Sequence, residues 1–296
     1  MTRSGILLID KPEGPSSAQV VHRAKVIFGA QKAGHLGTLD PFASGLLLLG
    51  INEGTKIADV FLSAAKRYRG VMVLGVATDS QDGTGNVIET RPVPALDTEG
   101  LKRLEARFTG ELQQVPPMFS ALKKDGVRLY RLARQGREVP REPRLVRVEA
   151  LRLAQIGKAE VELDVTCSRG TYVRTLAADM GAALGCGAHL KSLRRLSCGR
   201  LRVEQAVPLA RLEQEKKAPA EALVPLAAAL GHLVAVTWDN RWIARLRMGQ
   251  QEVLGQLGKP RAEEKLAPIL DRQGNLAALA EWSEGAGWRL ARVFRE

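Results

Sequence analysis

The order of apolar and polar residues near the start of the chain predicts a helix. Apolar side chains recur there at the spacing of one helix face, at Val20, Val21, Ala24, Ile27 and Phe28. Ser16 and Ser17 precede this stretch, and Gly29 follows it. Serine favours the start of a helix and glycine its end, so we predict a helix between them.

Three other stretches have the pattern of strands. The run GLLLLG at 45–50 is short, apolar and bounded by glycines, which predicts a fully buried strand. Residues 68–79 and 160–166 are rich in β-branched side chains or alternate between polar and apolar, and each predicts a strand. The turn sequence DSQDGTGN at 79–86 ends the earlier of these two.

Two further helices and a second domain are predicted farther along the chain. One helix begins at Asp97, and the other runs from about Tyr172 to Leu184 before Gly185. All four tryptophans lie beyond residue 230, at Trp238, Trp242, Trp282 and Trp288. Because 296 residues also exceed one average domain, we predict a larger domain at 1–230 and a smaller, strand-rich domain at 231–296.

The charge of the chain favours a polyanionic partner. Lys and Arg number 44 against 32 Asp and Glu, a formal net charge of +12. Residues 120–149 are especially basic, and Arg128, Arg131 and Arg134 recur there at helical spacing. A solvated helix face explains that spacing but leaves the excess of one sign unexplained, so RNA contact is the favoured interpretation.

Several classes of protein and site are disfavoured. No apolar run has the length of a membrane-spanning helix, and the N-terminal stretch lacks the features of a signal peptide. Three cysteines without CxxC spacing argue against disulfides and structural zinc, and fit a reducing cytoplasm. Walker A, GxGxxG and GxSxG motifs are missing, which disfavours nucleotide-dependent chemistry.

The loop GHLGTLDP at 34–41 holds two candidate residues. Asp40 precedes Pro41, which stiffens the turn and gives the carboxylate a fixed direction. His35 could stack on a base or contact phosphate, and no second histidine stands at metal-ligand spacing. Taken alone, this loop is better explained by a turn-forming aspartate and a surface histidine.

Tyr68 and Arg174 are the next candidates. Tyr68 stands among Lys66, Arg67 and Arg69, a combination that suits a flipped base, although a packed strand aromatic has the same appearance. Arg174 lies in the first turn of a predicted helix, where its charge opposes the helix dipole. A carboxylate is its natural partner, and an ordinary surface arginine is the alternative.

Together and in this order, these motifs resemble those of a known family. LLIDKPEGPSS, GHLGTLDP, KRY, SALK with RQGREVPRE, and CSRGTYVRTL with GCGAHLKSLRRL are similar to bacterial tRNA pseudouridine-55 synthases, the TruB family. The resemblance runs from residue 5 to about residue 210. Beyond that point, the PUA domain with which family members end is matched by position and strand-rich character.

The resemblance implies roles for individual residues. Asp40 matches the catalytic aspartate, and Arg174 matches the arginine that pairs with it. That arginine is expected to lower the pKa of the carboxyl group. Tyr68 matches the tyrosine that packs against the target base and assists proton removal from C5, and Leu193 matches an apolar residue of the base pocket.

Further positions follow from the same resemblance. His35 matches the histidine that meets RNA as the uridine turns out of its loop, and Tyr172 belongs with the substrate-binding group. Lys11 is placed in that group too, in a motif expected to support the site. Residues of about 120–149 match a mobile thumb that closes on the T-arm of tRNA, and Phe119 replaces a frequent tyrosine.

The implied fold is α+β: a mixed, mostly antiparallel central sheet of the pseudouridine synthase fold, with helices, a basic thumb and a small C-terminal PUA-like β-barrel. The implied reaction isomerises uridine to pseudouridine at position 55 in the tRNA T-loop, with base flipping. The resemblance implies no cofactor, no metal and no membrane partner, and a cytoplasmic monomer. A non-catalytic RNA-binding protein or tRNA folding chaperone is the alternative, and a synthase for another RNA differs only in substrate.

The basic character predicts a steep dependence of tRNA affinity on salt. Neutralising several phosphates releases counterions, so the logarithm of the binding constant falls linearly with the logarithm of the salt concentration. Fluorescence titration at about 50 and about 200 mM salt measures this slope. A flat response would count against the basic stretch as an RNA contact.

Overall fold

The computed structural model describes residues 3–215, 222–261 and 265–295. The helices of these residues are α1 (Ser17–Ile27), α2 (Ala58–Ser63), α3 (Thr98–Arg107), α4 (Leu129–Ala133), α5 (Val173–Ala183), α6 (Leu209–Glu215), α7 (Leu226–Ala229) and α8 (Asn240–Arg247). Short 3-10 turns occupy Asn52–Ile57, Val203–Gln205 and Gln251–Leu257. None of the described helices is long and apolar enough to cross a membrane.

The strands are β1 (Gly5–Lys11), β2 (Ala33–His35), β3 (Ser44–Ile51), β4 (Lys66–Leu74), β5 (Val76–Thr78), β6 (Val87–Thr90), β7 (Gly110–Gln114), β8 (Lys123–Lys124), β9 (Val127–Arg128), β10 (Arg144–Gln155), β11 (Glu160–Cys167), β12 (Ala188–Cys198), β13 (Leu201–Arg202), β14 (Val207–Pro208), β15 (Leu223–Val224), β16 (Val236–Thr237), β17 (Leu266–Leu270), β18 (Leu276–Ser283) and β19 (Gly287–Val293).

A large mixed sheet forms the centre of the molecule. Within the described residues it has 11 strands, and its main path is β14-β1-β3-β12-β4-β11-β10-β7. β2, β13 and β15 pair with strands of this path. β1 with β14 and β12 with β3 are parallel pairs, whereas the other pairs are antiparallel. This arrangement confirms the predicted α+β class with a mostly antiparallel central sheet.

Several predicted elements are confirmed with small changes. Ser16 caps α1 in a capping box with Gln19, and Asp97 caps α3 by accepting from the Gly100 N–H. The apolar run at 45–50 lies in β3, which is buried along nearly its whole length. The strand predicted at 68–79 is interrupted at Gly75, whose φ of 83° breaks it into β4 and β5.

The basic stretch predicted at 120–149 falls mainly between β7 and β10. We call this connection, residues 115–143, the insertion; it carries the β8–β9 hairpin and α4. α4 is only five residues long, so Arg128 and Arg134 are its caps and only Arg131 lies within it. Residues 144–149 belong instead to β10 of the large sheet.

The two faces of the large sheet have separate apolar cores. α1, α3 and α5 contribute side chains to the core on one face, where Leu7 and Leu47 are fully buried. The opposite face joins Leu8 and Leu48 to side chains of the C-terminal part, including Leu279 and Phe294. Because successive strand residues point to opposite faces, β1 and β3 are buried from both sides.

The C-terminal strands form an open sheet among the residues that the structure describes there. Its order is β16-β17-β18-β19, and β19 and β16 are its edges. The prediction of a closed barrel is therefore wrong for these residues, because alternating apolar residues do not show whether edge strands meet. Trp282 and Trp288 pair across β18 and β19, with ring centroids 5.5 Å apart and nearly perpendicular planes.

The contact between β3 and β12 requires a glycine. Gly45 pairs with Arg195 in this parallel contact and has a φ of 97°. A Cβ atom there would lie 2.7 Å from the Arg195 backbone nitrogen and still closer to its carbonyl oxygen. Since both atoms belong to a buried backbone, the collision has no flexible side chain to absorb it.

We expect Gly45→Ala to lower the free energy of unfolding by about 2–4 kcal/mol, from left-handed backbone strain and overpacking. Gly34→Ala is the matched control, because Gly34 lies on the neighbouring β2 and a Cβ there meets nothing within 4 Å. Its expected effect is within about 1 kcal/mol. Urea unfolding of both variants measures the difference, and equal losses would contradict the prediction.

Candidate active site

Asp40 lies on the loop between β2 and β3, and buried polar groups hold this loop. The Ser17 hydroxyl donates to the Leu39 carbonyl at 2.7 Å and accepts from the Leu39 N–H at 2.8 Å. The Lys11 ammonium donates to the carbonyls of Pro12, Pro15 and Pro41, at 2.7, 3.0 and 3.3 Å. The residues on either side of Asp40 are therefore fixed by hydrogen bonds.

Lys11 supports the site through hydrogen bonds to the backbone. Its side chain is fully buried and satisfies all three of its donors on backbone carbonyls. Burial lowers the pKa of Lys11 to about 8, against the opposing effects of Glu13 and Asp40. This geometry matches the support expected of its motif more closely than direct contact with a substrate.

Arg174, in the first turn of α5, reaches the Asp40 carboxylate. Its Nε atom lies 2.9 Å from Asp40 Oδ2, and its Nη1 atom lies 3.3 Å from Asp82 Oδ2. Nη1 also donates to the Ser80 carbonyl at 2.7 Å, and Nη2 donates to the Phe119 carbonyl at 2.8 Å. Two carboxylates thus compensate an arginine placed against the helix dipole.

Asp82 is a member of this network that the sequence patterns did not single out. It is buried in the DSQDGTGN turn, where its Oδ1 accepts from the Ser80 hydroxyl at 2.8 Å and from the Thr84 hydroxyl at 2.6 Å. Aspartate is common in exposed turns, so composition alone did not distinguish it. The available signal was the presence of a second aspartate in one short turn.

Opposing effects act on the pKa of Asp40. Burial raises it above the ordinary value, and the nearby Asp82 carboxylate adds to this effect. Arg174 and Lys11 oppose the rise without cancelling it. Arg174 therefore lowers this pKa as expected, but desolvation by the surrounding walls is the larger effect, and the pKa stays above its ordinary value.

A cavity of about 250 Å³ opens beside Asp40. Residues that line it include Asp40, Tyr68, Tyr172, Arg174, Leu193 and Arg195. The Asp40 side chain is 38% exposed to this space, whereas that of Arg174 is only 4% exposed. The structure therefore brings five of the seven candidate residues together, with the carboxylate accessible and its partner buried.

One line of paired residues runs across the sheet to the site. Lys11 of β1 pairs with Gly45 of β3, Gly45 pairs with Arg195 of β12, and Arg195 pairs with Tyr68 of β4. Leu193 lies two residues from Arg195 and so points to the same face. This spacing within the motif KSLRRL is the sequence signal that could have indicated Arg195.

Arg195 fastens the loop and contacts the tyrosine. It is buried, and its Nε donates to the Leu46 carbonyl at 2.6 Å and its Nη2 to the Gly37 carbonyl at 3.2 Å. Burial raises the pKa of Tyr68 to about 12, although the adjacent Arg195 opposes this rise. Tyr68 is therefore an uncharged phenol near neutral pH.

His35 and Tyr172 occupy different positions around the cavity. His35 ends β2, is exposed, and lies outside the cavity lining. Desolvation by its surroundings and the Arg195 and Arg128 guanidiniums lower its pKa, which favours the neutral ring. Tyr172 immediately precedes α5 and lines the cavity, and burial raises its pKa.

In residues 3–215, 222–261 and 265–295, no three His, Cys, Asp or Glu side chains are grouped so as to hold a metal ion.

Comparison with known protein families gives two adjoining matches. Residues 25–173 match the family described as TruB family pseudouridylate synthase (N terminal domain). Residues 174–231 match the tRNA pseudouridylate synthase B C-terminal domain. The first match covers the Asp40 loop, Tyr68 and the insertion, and the second begins at Arg174.

Curated relatives with the name tRNA pseudouridine synthase B align along most of the chain. One from Geobacter sulfurreducens is 47% identical over 247 residues, which cover 83% of this chain and 81% of the relative. Another from Burkholderia mallei (strain NCTC 10247) is 46% identical over 284 residues, which cover 95% and 94%.

Solved structures share the fold. A chain of the Cbf5-Nop10-Gar1 complex superposes with a TM-score of 0.72 at 26% identity, covering 98% of this chain and 85% of that chain. A chain of an H/ACA RNP bound to a substrate RNA containing 2'-deoxyuridine superposes with a TM-score of 0.71 at 24% identity, covering 99% and 85%.

The network predicts a signed change in the pKa of Asp40 when Asp82 is neutralised. Asp82→Asn removes a like charge, and Asp40 is then the only carboxylate paired with Arg174 in the network of described residues. The pKa of Asp40 is therefore expected to fall. NMR titration of the labelled aspartate carboxyl carbon measures it. Asp79→Asn is the control, because Asp79 lies in the same turn but binds Asn86 instead. A rise in the Asp82→Asn variant would contradict the network.

Proposed function

Because this chain belongs to the TruB family of pseudouridylate synthases, we propose that it converts uridine to pseudouridine at position 55, in the T-loop of tRNA. The names of its relatives support tRNA as the substrate. The net charge of +12 also supports a polyanionic partner.

The observation that carries the proposal is the Asp40–Arg174 pair at the wall of the cavity. The two side chains are 2.9 Å apart, and the carboxylate faces the open space. We assign Asp40 as the catalytic residue, which acts on the nucleotide in its ionised form. By opposing the rise in the pKa of Asp40, Arg174 increases the fraction of enzyme with that form.

The reaction requires a closed pocket rather than an added reagent. The bond between C1′ of the ribose and N1 of uracil breaks, and the base turns. C5 then bonds to C1′ and releases its proton to water, while N1 takes up a proton. Since the atoms of the product are those of the substrate, the detached base has only to be retained and turned. Tyr68, Tyr172 and Leu193 supply cavity walls for this purpose.

Tyr68 acts in this scheme as a packing group. A pKa of about 12 keeps its hydroxyl protonated at neutral pH. A phenolate that accepts the C5 proton would first have to form against the desolvation that raises this pKa. Tyr68 therefore holds the base with its ring, and its orientation depends on the neighbouring Arg195.

The uridine must leave its loop to reach Asp40. Base flipping costs a few kcal/mol, and phosphate contacts by the insertion offset part of this cost. His35 is exposed beside the site, and the charge of Arg128 in the insertion lowers its pKa. We assign it to contact the RNA as the base turns outward.

The proposed organisation separates catalysis from additional RNA binding. Residues 1–230 would form the catalytic domain, and residues 231–296 a PUA-like RNA-binding domain. The family matches end at residue 231, which supports this boundary. The three cysteines are free, which is compatible with action in a reducing cytoplasm, and we propose a monomer.

We expect Asp40→Asn to abolish release of tritium from C5-labelled uridine in tRNA, because the amide cannot replace an ionised carboxylate. Its affinity for tRNA is expected to stay within about tenfold of the unmodified protein, since phosphate contacts are untouched. Asp97→Asn is the matched control: asparagine caps a helix as well as aspartate does, and α3 lies outside the cavity lining.

Sequencing of the modified tRNA gives the position of the product. Pseudouridine at position 55 is the expected result, and modification elsewhere would contradict the T-loop assignment. Normal turnover by Asp40→Asn would remove Asp40 from the catalytic role. A protein that binds tRNA and forms no pseudouridine would support a binding function instead.

A further inference from the structure

Gln114 is a buried polar residue without a part in the proposed chemistry. It is the last residue of β7, and only 3% of its surface is exposed. Its Nε2 donates to the Tyr172 carbonyl at 3.1 Å, and its Oε1 accepts from the Tyr172 N–H at 2.8 Å. A carboxamide that bonds one residue in both directions fixes the position and orientation of that backbone.

The residue held in this way is the N-cap of α5, the helix that carries Arg174. Tyr172 immediately precedes α5, its side chain lines the cavity, and Arg174 follows two residues later. Tyr172 is joined directly to the first turn of α5, which contains Arg174. A displacement of the Tyr172 backbone therefore moves the Arg174 guanidinium as well. Gln114 therefore controls two groups of the site without touching the cavity.

The segment that follows Gln114, residues 115–119, is attached to α5 at its other end as well. Arg174 Nη2 donates to the carbonyl of Phe119 at 2.8 Å. Residues 115–118 thus run between two anchors, and both anchors lead to the beginning of α5. Arg141, near the end of the insertion, donates from Nη1 to the Pro116 carbonyl at 3.2 Å, so both limbs of the insertion meet at this segment.

We propose that Gln114 is a positioning residue that, together with Arg174, couples the insertion to the Asp40 carboxylate. The proposal rests on the proposed function, in which the insertion contacts RNA. RNA that fixes the insertion also fixes residues 115–119. Through Gln114 and Phe119 these residues hold the start of α5, and Arg174 then keeps its Nε on Asp40. Catalytic alignment consequently depends on whether the insertion is engaged.

The magnitude of the coupling follows from the sensitivity of catalysis to geometry. A displacement of about 1 Å at a reacting group can lower a rate about 100-fold. Affinity for RNA comes mainly from phosphate contacts spread over a wide surface. Loss of Gln114 is therefore expected to reduce the rate at saturating tRNA far more than the affinity.

The test compares Gln114→Met with Gln113→Met. Methionine matches glutamine in length and lacks the amide, and Gln113 lies next to Gln114 on β7 but is exposed. Single-turnover formation of pseudouridine at saturating tRNA, tRNA affinity and the pH dependence of the rate are measured for both. Gln113→Met is expected to match the unmodified protein.

For Gln114→Met, the rate is expected to fall about 10- to 100-fold, with the dissociation constant within about threefold. The acid limb of the pH–rate profile is expected to move to higher pH. Arg174 opposes the rise in the pKa of Asp40, so a guanidinium that has moved away allows that pKa to rise. A purely structural role for Gln114 would leave this limb unchanged.

If Gln114→Met does not fold, Gln114→Asn decides in its place, because it keeps an uncharged carboxamide that is one methylene too short to bond both the N–H and the carbonyl of Tyr172. An unchanged saturating rate in the folded variant would overturn the proposal. A reduced rate with an unmoved acid limb would overturn it too, as would an effect confined to affinity. An inactive unmodified protein would instead overturn the proposed function.

Discussion

The candidate site depends on the hydrogen bonds and ion pairs of the Arg174 guanidinium. It joins the Asp40 loop, the turn with Ser80 and Asp82, and Phe119 at the base of the insertion. A planar group with five donors can hold partners in several directions, whereas a lysine ammonium lacks this fixed geometry. Its burial excludes water and keeps these segments together, while Asp40 remains open to the cavity.

Local patterns predicted the elements, and the long-range contacts lay beyond them. The caps at Ser16 and Asp97 and the run at 45–50 follow from nearest neighbours in the chain. The turn at Gly75 depends on a backbone angle that composition does not specify. Asp82 resembled any turn aspartate, because its partner Arg174 is distant in sequence and only the fold brings the two together.

Burial accounts for the other differences between prediction and structure. The lowering effect of Arg174 on the pKa of Asp40 could be predicted, but the larger effect of desolvation could not, because it depends on walls that no motif describes. Gln114 and Arg195 were missed for a related reason: their partners are backbone groups, which every residue possesses. The open C-terminal sheet likewise depends on how edge strands are placed, which strand periodicity leaves undetermined.

The buried Phe294 links distant parts of the chain in a way that bears on its biosynthesis. It closes the apolar face beneath β1 and β3, and the Lys56 ammonium, 2.8 Å from the Val293 carbonyl, holds the adjoining backbone. The apolar face of strands that the ribosome makes early is thus completed only by a residue that lies more than two hundred positions later in the chain. Until Phe294 is made, this apolar surface of β1 and β3 stays exposed. Nascent chains that stall or are cleaved before this point are therefore candidates for binding by chaperones and degradation by proteases.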